Sequence, residues 1–98
     1  MTLYGNIDSV SYSNASGNLG PFTLKGGAYA MTVHAGTWGG GSVALQRLAA
    51  DGATWIGVGL SFTADGFSTA NLPVGQYQIA IAAATGVAVD VTSVAASL

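Results

Sequence analysis

Apolar residues along this chain fall at every second position in several short runs, the period of a strand with one face buried. The clearest run is Gln76 to Ala84, where Tyr77, Ile79, Ile81 and Ala83 share one face and Gln78, Ala80, Ala82 and Ala84 the other. Over Ala28 to Ala35, Tyr29, Met31 and Val33 alternate with Ala30, Thr32 and His34. Near the end, Val87, Val89 and Val91 alternate with Ala88, Asp90 and Thr92. Gly41 to Val58 holds two such runs around Ala49-Ala50-Asp51-Gly52. Asp-Gly between alternating runs predicts a β-hairpin, because Gly takes positive φ without a Cβ clash and Asp bonds its own backbone two residues on. That hairpin sets the register of the strands after it.

Further turns are predicted at Gly36 to Gly41, at Ala64-Asp65-Gly66, at Leu72-Pro73-Val74-Gly75 and at Thr85-Gly86. The run Gly39-Gly40-Gly41 predicts a flexible connection or a bulged strand start. In the third turn Pro73 presets φ and Gly75 can take a left-handed position. Leu60 to Thr63 continues or restarts a strand across Gly59, and Phe67 to Leu72 is the next. Turn signals about every ten residues, with no helical stripe, predict an all-β, antiparallel β-sandwich of the jelly-roll or Ig-like kind with about seven or eight short strands. The sandwich is expected over residues 28–98. Met1 to Gly27 is polar and weakly patterned, with short strands around Ile7–Tyr12 and Phe22–Leu24; it reads as an arm over a neighbouring subunit or as a loose terminus. The whole is one domain.

Charge changes the picture. Lys25, Arg47, Asp8, Asp51, Asp65 and Asp90 are the only charged residues, 6% of the chain, against about 25% in an ordinary domain. Half the residues are apolar, so this is not a disordered composition. A lone domain with so few charges has little to hold it in solution, which implies that much of its surface faces protein. The outward strand positions are Ala, Gly, Thr, Ser and Gln, and small neutral side chains lose little rotamer entropy when covered. Two basic residues cannot neutralise a phosphate backbone, so nucleic acid is not an expected partner. The absence of cysteine excludes disulfides and thiolate metal sites and fits a reducing cytosol. No basic segment with an apolar run opens the chain, and no apolar run approaches the ~20 residues of a membrane span. Synthesis in the cytoplasm, without membrane contact, is the expectation.

Little in the chain points to catalysis. His34 is the only histidine, so no histidine cluster can bind zinc. As a general base it needs an orienting carboxylate, and spacing assigns it no particular aspartate; a surface or hydrogen-bonded filler role is the plainer reading. Asp51 and Asp65 each precede glycine, where turn chemistry accounts for them, and each stands alone as a calcium ligand. Gly39-Gly40-Gly41-Ser42 lacks the helix and Lys of a phosphate loop. Asn14-Ala15-Ser16 matches a glycosylation site, but no secretory signal accompanies it. No enzyme activity and no cofactor is expected, a hydrolytic role for His34 with an aspartate being a third-ranked reading. The aromatic residues offer binding instead, since flat rings stack on sugars and anchor interfaces. Trp55 and Ile56 have opposite strand parity, so one of them points outward if the strand is regular. Tyr4, Tyr12, Trp38, Trp55 and Ile56 form the candidate interface set.

The order GGGSVALQRLAADGATWIGV followed by FTADGFSTANLPVGQYQIAIAAATGVAV resembles small bacteriophage virion proteins, described variously as head decoration (cement) proteins and as head- or tail-fiber modules. The likeness covers roughly Ala28 to Val94. It rests on a Gly-rich turn, V-x-L-Q-x-L, an Asp-Gly turn, Thr-Trp, a second Gly-ended turn, L-P-x-G-x-Y and a Thr-Gly hairpin. The resemblance implies a β-sandwich subunit, usually multimeric, that sits on or projects from a capsid, with no catalytic residue. The expected function is capsid decoration: a homo-oligomer, most simply a trimer, that binds major capsid protein in the assembled shell. The alternative is a fiber module that binds a host receptor or glycan through Trp38 or Trp55.

Overall fold

Each alternating run becomes a strand. The computed structural model describes residues 9–94, which form β1 Ser9–Ala15, β2 Leu19–Leu24, β3 Gly27–Thr37, β4 Ser42–Leu48, β5 Trp55–Phe62, β6 Gly66–Leu72, β7 Gly75–Ala82 and β8 Thr85–Ser93. Antiparallel pairing joins β1 to β8, β2 to β7, β3 to β6 and β4 to β5. Contacts of β3 with β8 and of β4 with β7 complete two sheets, ordered β1-β8-β3-β6 and β2-β7-β4-β5. The chain is therefore a two-stranded ribbon, its tip at the β4–β5 turn, rolled into facing sheets. Of the sandwich forms expected, this is the jelly roll.

The inward positions are those the alternation marks. Tyr29, Met31, Val33, Val43, Leu45, Tyr77, Ile79, Ile81, Val87, Val89 and Val91 are all buried, none more than 8% exposed. Each contributes about 1.5–3 kcal/mol of transfer free energy when fully buried. The N-terminal segment differs from the expected arm. β1 lies beside β8, with Val10 opposite Val91 and Tyr12 opposite Val89. β2 lies beside β7, with Phe22 opposite Tyr77. The polar loop between them is tied down by Asn18, whose Oδ1 accepts the Ile81 N–H at 3.0 Å. Residues 9–24 thus belong to both sheets, because Val10, Tyr12, Leu19 and Phe22 supply the inward side chains.

Two turns also depart from expectation. The triple glycine is a closed turn, with Gly41 N–H donating to Trp38 O at 2.7 Å and Gly39 and Gly40 at φ 56° and 74°. At the other, β7 ends at Ala82 and Ala83 stands at φ 62°, so Ala84 (1% exposed) rather than Ala83 turns inward. A left-handed alanine costs about 1–2 kcal/mol, and glycine avoids most of it. Ala83→Gly is expected to stabilise the fold by about 0.5–1 kcal/mol, read as a rise in Tm; a fall would contradict the left-handed assignment.

The Leu72-to-Tyr77 turn is a corner closed by its own tyrosine: Tyr77 Oη donates to Pro73 O at 2.6 Å. Its spacing, Leu-x-x-Gly-x-Tyr, recurs at Leu24-Lys25-Gly26-Gly27-Ala28-Tyr29, where Tyr29 Oη accepts the Gly26 N–H at 3.0 Å. The two corners face each other, Leu24 opposite Gly75 and Gly27 opposite Leu72. Both leucines and both tyrosines are buried. Gly75 is not among the residues at positive φ; a Cβ there would stand 2.8 Å from Arg47 Nε, so the glycine makes room for the guanidinium. Arg47 Nη2 donates to Val74 O at 2.8 Å, while its buried Nε has no partner. Burial pushes the Tyr77 hydroxyl pKa up, and the neighbouring Arg47 opposes that shift.

Candidate functional site

The jelly roll gathers the β1–β2, β3–β4, β5–β6 and β7–β8 connections at one end. There the β3–β6 register sets Val33 opposite Gly66, which brings the next residue, His34, to the preceding one, Asp65. His34 Nδ1 lies 2.6 Å from Asp65 Oδ2. Asp65 Oδ1 accepts the Trp38 indole N–H at 2.9 Å and the Ala35 backbone N–H at 3.1 Å. These donors, His34 first, then Trp38 and Ala35, hold the Asp65 pKa down to about 2. Turn chemistry therefore explains Asp51 but not Asp65. At the other end of the sandwich, Asp51 is bonded by the Thr54 hydroxyl and by the Ala53 and Thr54 N–H groups, and its pKa is likewise about 2.

Chemically, the Asp65 cluster is a latch. It fastens the β3–β4 turn to the β5–β6 turn and fixes the Trp38 ring, which packs half-buried against the core. His34 and Asp65 are 65% and 55% exposed, so water screens their attraction. Among the described residues, no group of three or more His, Cys, Asp or Glu side chains could hold a metal ion. The acid response has a definite sign. Both carboxylates have folded pKa values below the ordinary 3.8, so their stabilisation is complete above about pH 4 and is lost as pH falls through 2. Tm is expected to drop across that window, and to drop less in Asp51→Asn/Asp65→Asn; equal drops would show that the latches do not respond to acid.

The second feature is the outer face of the β2-β7-β4-β5 sheet. Strand parity turns Thr23, Gln76, Gln78, Ala80, Ala44, Gln46, Leu48 and Trp55 away from the core. Gln78 Nε2 donates to Gln46 Oε1 at 2.8 Å and Gln76 Nε2 to Thr23 Oγ1 at 2.7 Å. An amide strip thus crosses three strands, with Trp55 opposite Leu48 at its margin. None of these eight residues is charged.

The candidate interface residues are scattered by this arrangement. Tyr12 is half-buried on the inner side of β1, its ring centroid 6.3 Å from that of Phe22. Trp38 belongs to the latch. Trp55 takes the outward parity, and Ile56, opposite Arg47, is 52% exposed. Tyr4 lies outside the described residues. The Asp65–His34–Trp38 grouping is the feature that sequence reasoning missed; its signal is the β3–β6 pairing, which spacing alone does not reveal.

The sequence matches no protein-family model and no curated protein. Solved structures share the fold. The SPBc2 prophage-derived protein YomS superposes with a TM-score of 0.58 at 9% identity, over 88% of this chain and 92% of that one. The Yersinia pseudotuberculosis-derived mitogen does so with a TM-score of 0.54 at 15% identity, over 95% of this chain and 90% of that one. At such identities the likeness is one of fold: a small two-sheet β-sandwich, one instance of which comes from a prophage.

Proposed function

We propose that this chain is a bacteriophage head decoration protein, a homo-oligomer that binds major capsid protein on the assembled shell and catalyses no reaction. The observation that carries this reading is the uncharged outer face of the β2-β7-β4-β5 sheet. Covering such a face strands no ion, and Gln76, Gln78 and Gln46, the side chains with most rotamer freedom to lose, are already held by hydrogen bonds. The prophage source of one structural neighbour and the order of motifs from Ala28 to Val94 support the same reading. Burial of about 800 Å² per partner suffices for a specific complex. Binding only the assembled shell would stabilise that state by mass action, and several subunits acting together multiply a modest single-site affinity. Purified protein mixed with phage heads stripped of it is expected to bind saturably, at fixed stoichiometry, and to raise the temperature of shell disruption. Ala80→Glu, which sets a charge in the middle of the face, is expected to weaken binding at least tenfold without lowering Tm. Failure of the unmodified protein to bind sinks the proposal.

The placement of Trp55 on the same sheet face as the Gln46–Gln78 pair favours one second reading, a fiber module that stacks a neutral sugar on the indole and bonds it through amides. Glycan-array binding abolished by Trp55→Ala and kept by Trp38→Ala would select it over decoration.

A further inference from the structure

Strands β1, β6, β2 and β5 lie at the margins of the two sheets. A marginal strand presents unpaired N–H and C=O groups to any strand that approaches, and proteins blunt such edges with bulges, proline or charge. Three of the four are blunted. β1 shifts register between Tyr12 and Ala15, with Asn14 at φ 55°. β2 shifts between Leu19 and Phe22, where Pro21 sits. β5 shifts opposite Ala44 and Gln46, where Gly59 stands at φ 93°. The exception is β6, which makes seven consecutive pairs with β3, from Gly66 opposite Val33 to Leu72 opposite Gly27, without a shift. It contains no charge and no proline. Among the described residues the margin is also open. Phe67 is 65% exposed, and Ser68 is exposed although its partner Met31 is fully buried.

We propose that β6 is where two copies of this chain meet, antiparallel, about a two-fold axis at Thr69. The contact would merge two β1-β8-β3-β6 sheets into one of eight strands. The β6 sequence suits itself as partner. An axis at Thr69 sets Thr69 opposite Thr69, Ser68 opposite Ala70 and Phe67 opposite Asn71 of the other copy. Phe67 then reaches the other copy's Thr69 on the diagonal, and β-branched and aromatic cross-strand neighbours of this kind are favourable. Self-pairing brings any charge near the axis close to its own copy, which is destabilising; the neutrality of β6 removes that obstacle. A strongly charged partner strand, by contrast, would find no counter-charge there. Such a contact is isologous and consumes the open edge of both copies, and the blunted edges end growth at two. A dimer results, where the sequence alone suggested a trimer.

Sedimentation and cysteine crosslinking test this, because the chain has no thiol of its own. Across the axis, Thr69 Cα atoms would stand about 4.5–5.5 Å apart, inside the usual disulfide range of about 4.4–6.8 Å. Two copies of residue 67 would be offset by about 13 Å along the strands. The unmodified protein is expected to sediment as a dimer. Thr69→Cys should oxidise readily to a covalent dimer, whereas Phe67→Cys should crosslink only when mixed with Asn71→Cys. Thr69→Lys and Thr69→Glu should each be folded monomers by circular dichroism, and mixing the two should restore the dimer. A monomeric unmodified protein, a trimer unaffected by Thr69→Lys, or equal crosslinking of Phe67→Cys and Thr69→Cys would each overturn the two-fold contact. Shell binding by the Thr69→Lys monomer separates the fate of this contact from that of the decoration reading.

Discussion

Gly41→Ala is expected to lower Tm by roughly 12–24 °C, from a loss of about 3 kcal/mol at 4–8 °C per kcal/mol for a domain of this size. Gly41 is buried where β4 begins beside the β7–β8 turn. A Cβ at this position would lie 1.8 Å from Ala82 O and 2.8 Å from Ala84 N. Both obstacles are backbone atoms, so no rotamer change relieves the overlap. Relief requires moving either β4 or β7 at the place where Ser42 pairs with Ala82. The neighbouring Gly40 provides the control. It has φ 74° and nothing within 4 Å of where a Cβ would stand, so Gly40→Ala costs only the left-handed penalty of about 1–2 kcal/mol. Calorimetry of the two variants separates steric exclusion from conformational strain. If Gly41→Ala is no worse than Gly40→Ala, the close approach of the two chains is mistaken.

Tyr77→Ala is expected to cost about 3–5 kcal/mol, the usual figure for emptying a large aromatic site. Tyr77→Phe is expected to account for about 1–2 kcal/mol of it, the worth of a hydrogen bond whose acceptor is then left without its donor. The ring is fully buried, and its hydroxyl is what closes the corner onto Pro73 O. Urea midpoints at constant m-value report both changes. A phenylalanine variant as stable as the parent would reduce the corner to simple packing. The facing corner predicts a parallel result. Tyr29→Phe removes the acceptor of the Gly26 N–H and should fall in the same range of about 1–2 kcal/mol.

Local chemistry was the legible part of this fold. The Asp51-Gly52 hairpin, the buried faces of β3, β7 and β8 and the Pro73 turn arise from residues within a few positions of one another, which is the range over which alternation and turn propensity act. Features decided by distant partners were not legible. Gly75 reads as a left-handed turn residue until Arg47, far away in sequence, is seen to occupy the space beside it. Asp65 reads as a second copy of Asp51 because both precede glycine, yet its oxygens are taken by donors on and just after β3. The expected arm had the composition of a loop, and only pairing with β7 and β8 reveals which of its few apolar residues face inward. Ala83 failed for a smaller reason: alternation continues through it in the sequence, whereas the left-handed turn shifts the parity by one. The paired Leu-x-x-Gly-x-Tyr corners were present in the letters all along, but that they face each other depends on the β2–β7 and β3–β6 pairings.

The position of β8 has a consequence for how the chain is made. It is the last described strand, yet it sits between β1 and β3 rather than at a margin. Until Ser93 has left the ribosome, β1 has no neighbour in its sheet and the inner face of β3 lacks Val87, Val89 and Val91. Hairpin β4–β5 can close early and the β3–β6 and β4–β7 pairings can follow, but β1 must wait for its pairing with β8, which spans most of the chain. Such distant contacts are slow to find. Until β8 is made, β1 and the inner face of β3 therefore lie open to the strands of other nascent copies, with no Asp, Glu, Lys or Arg in either strand to keep them apart.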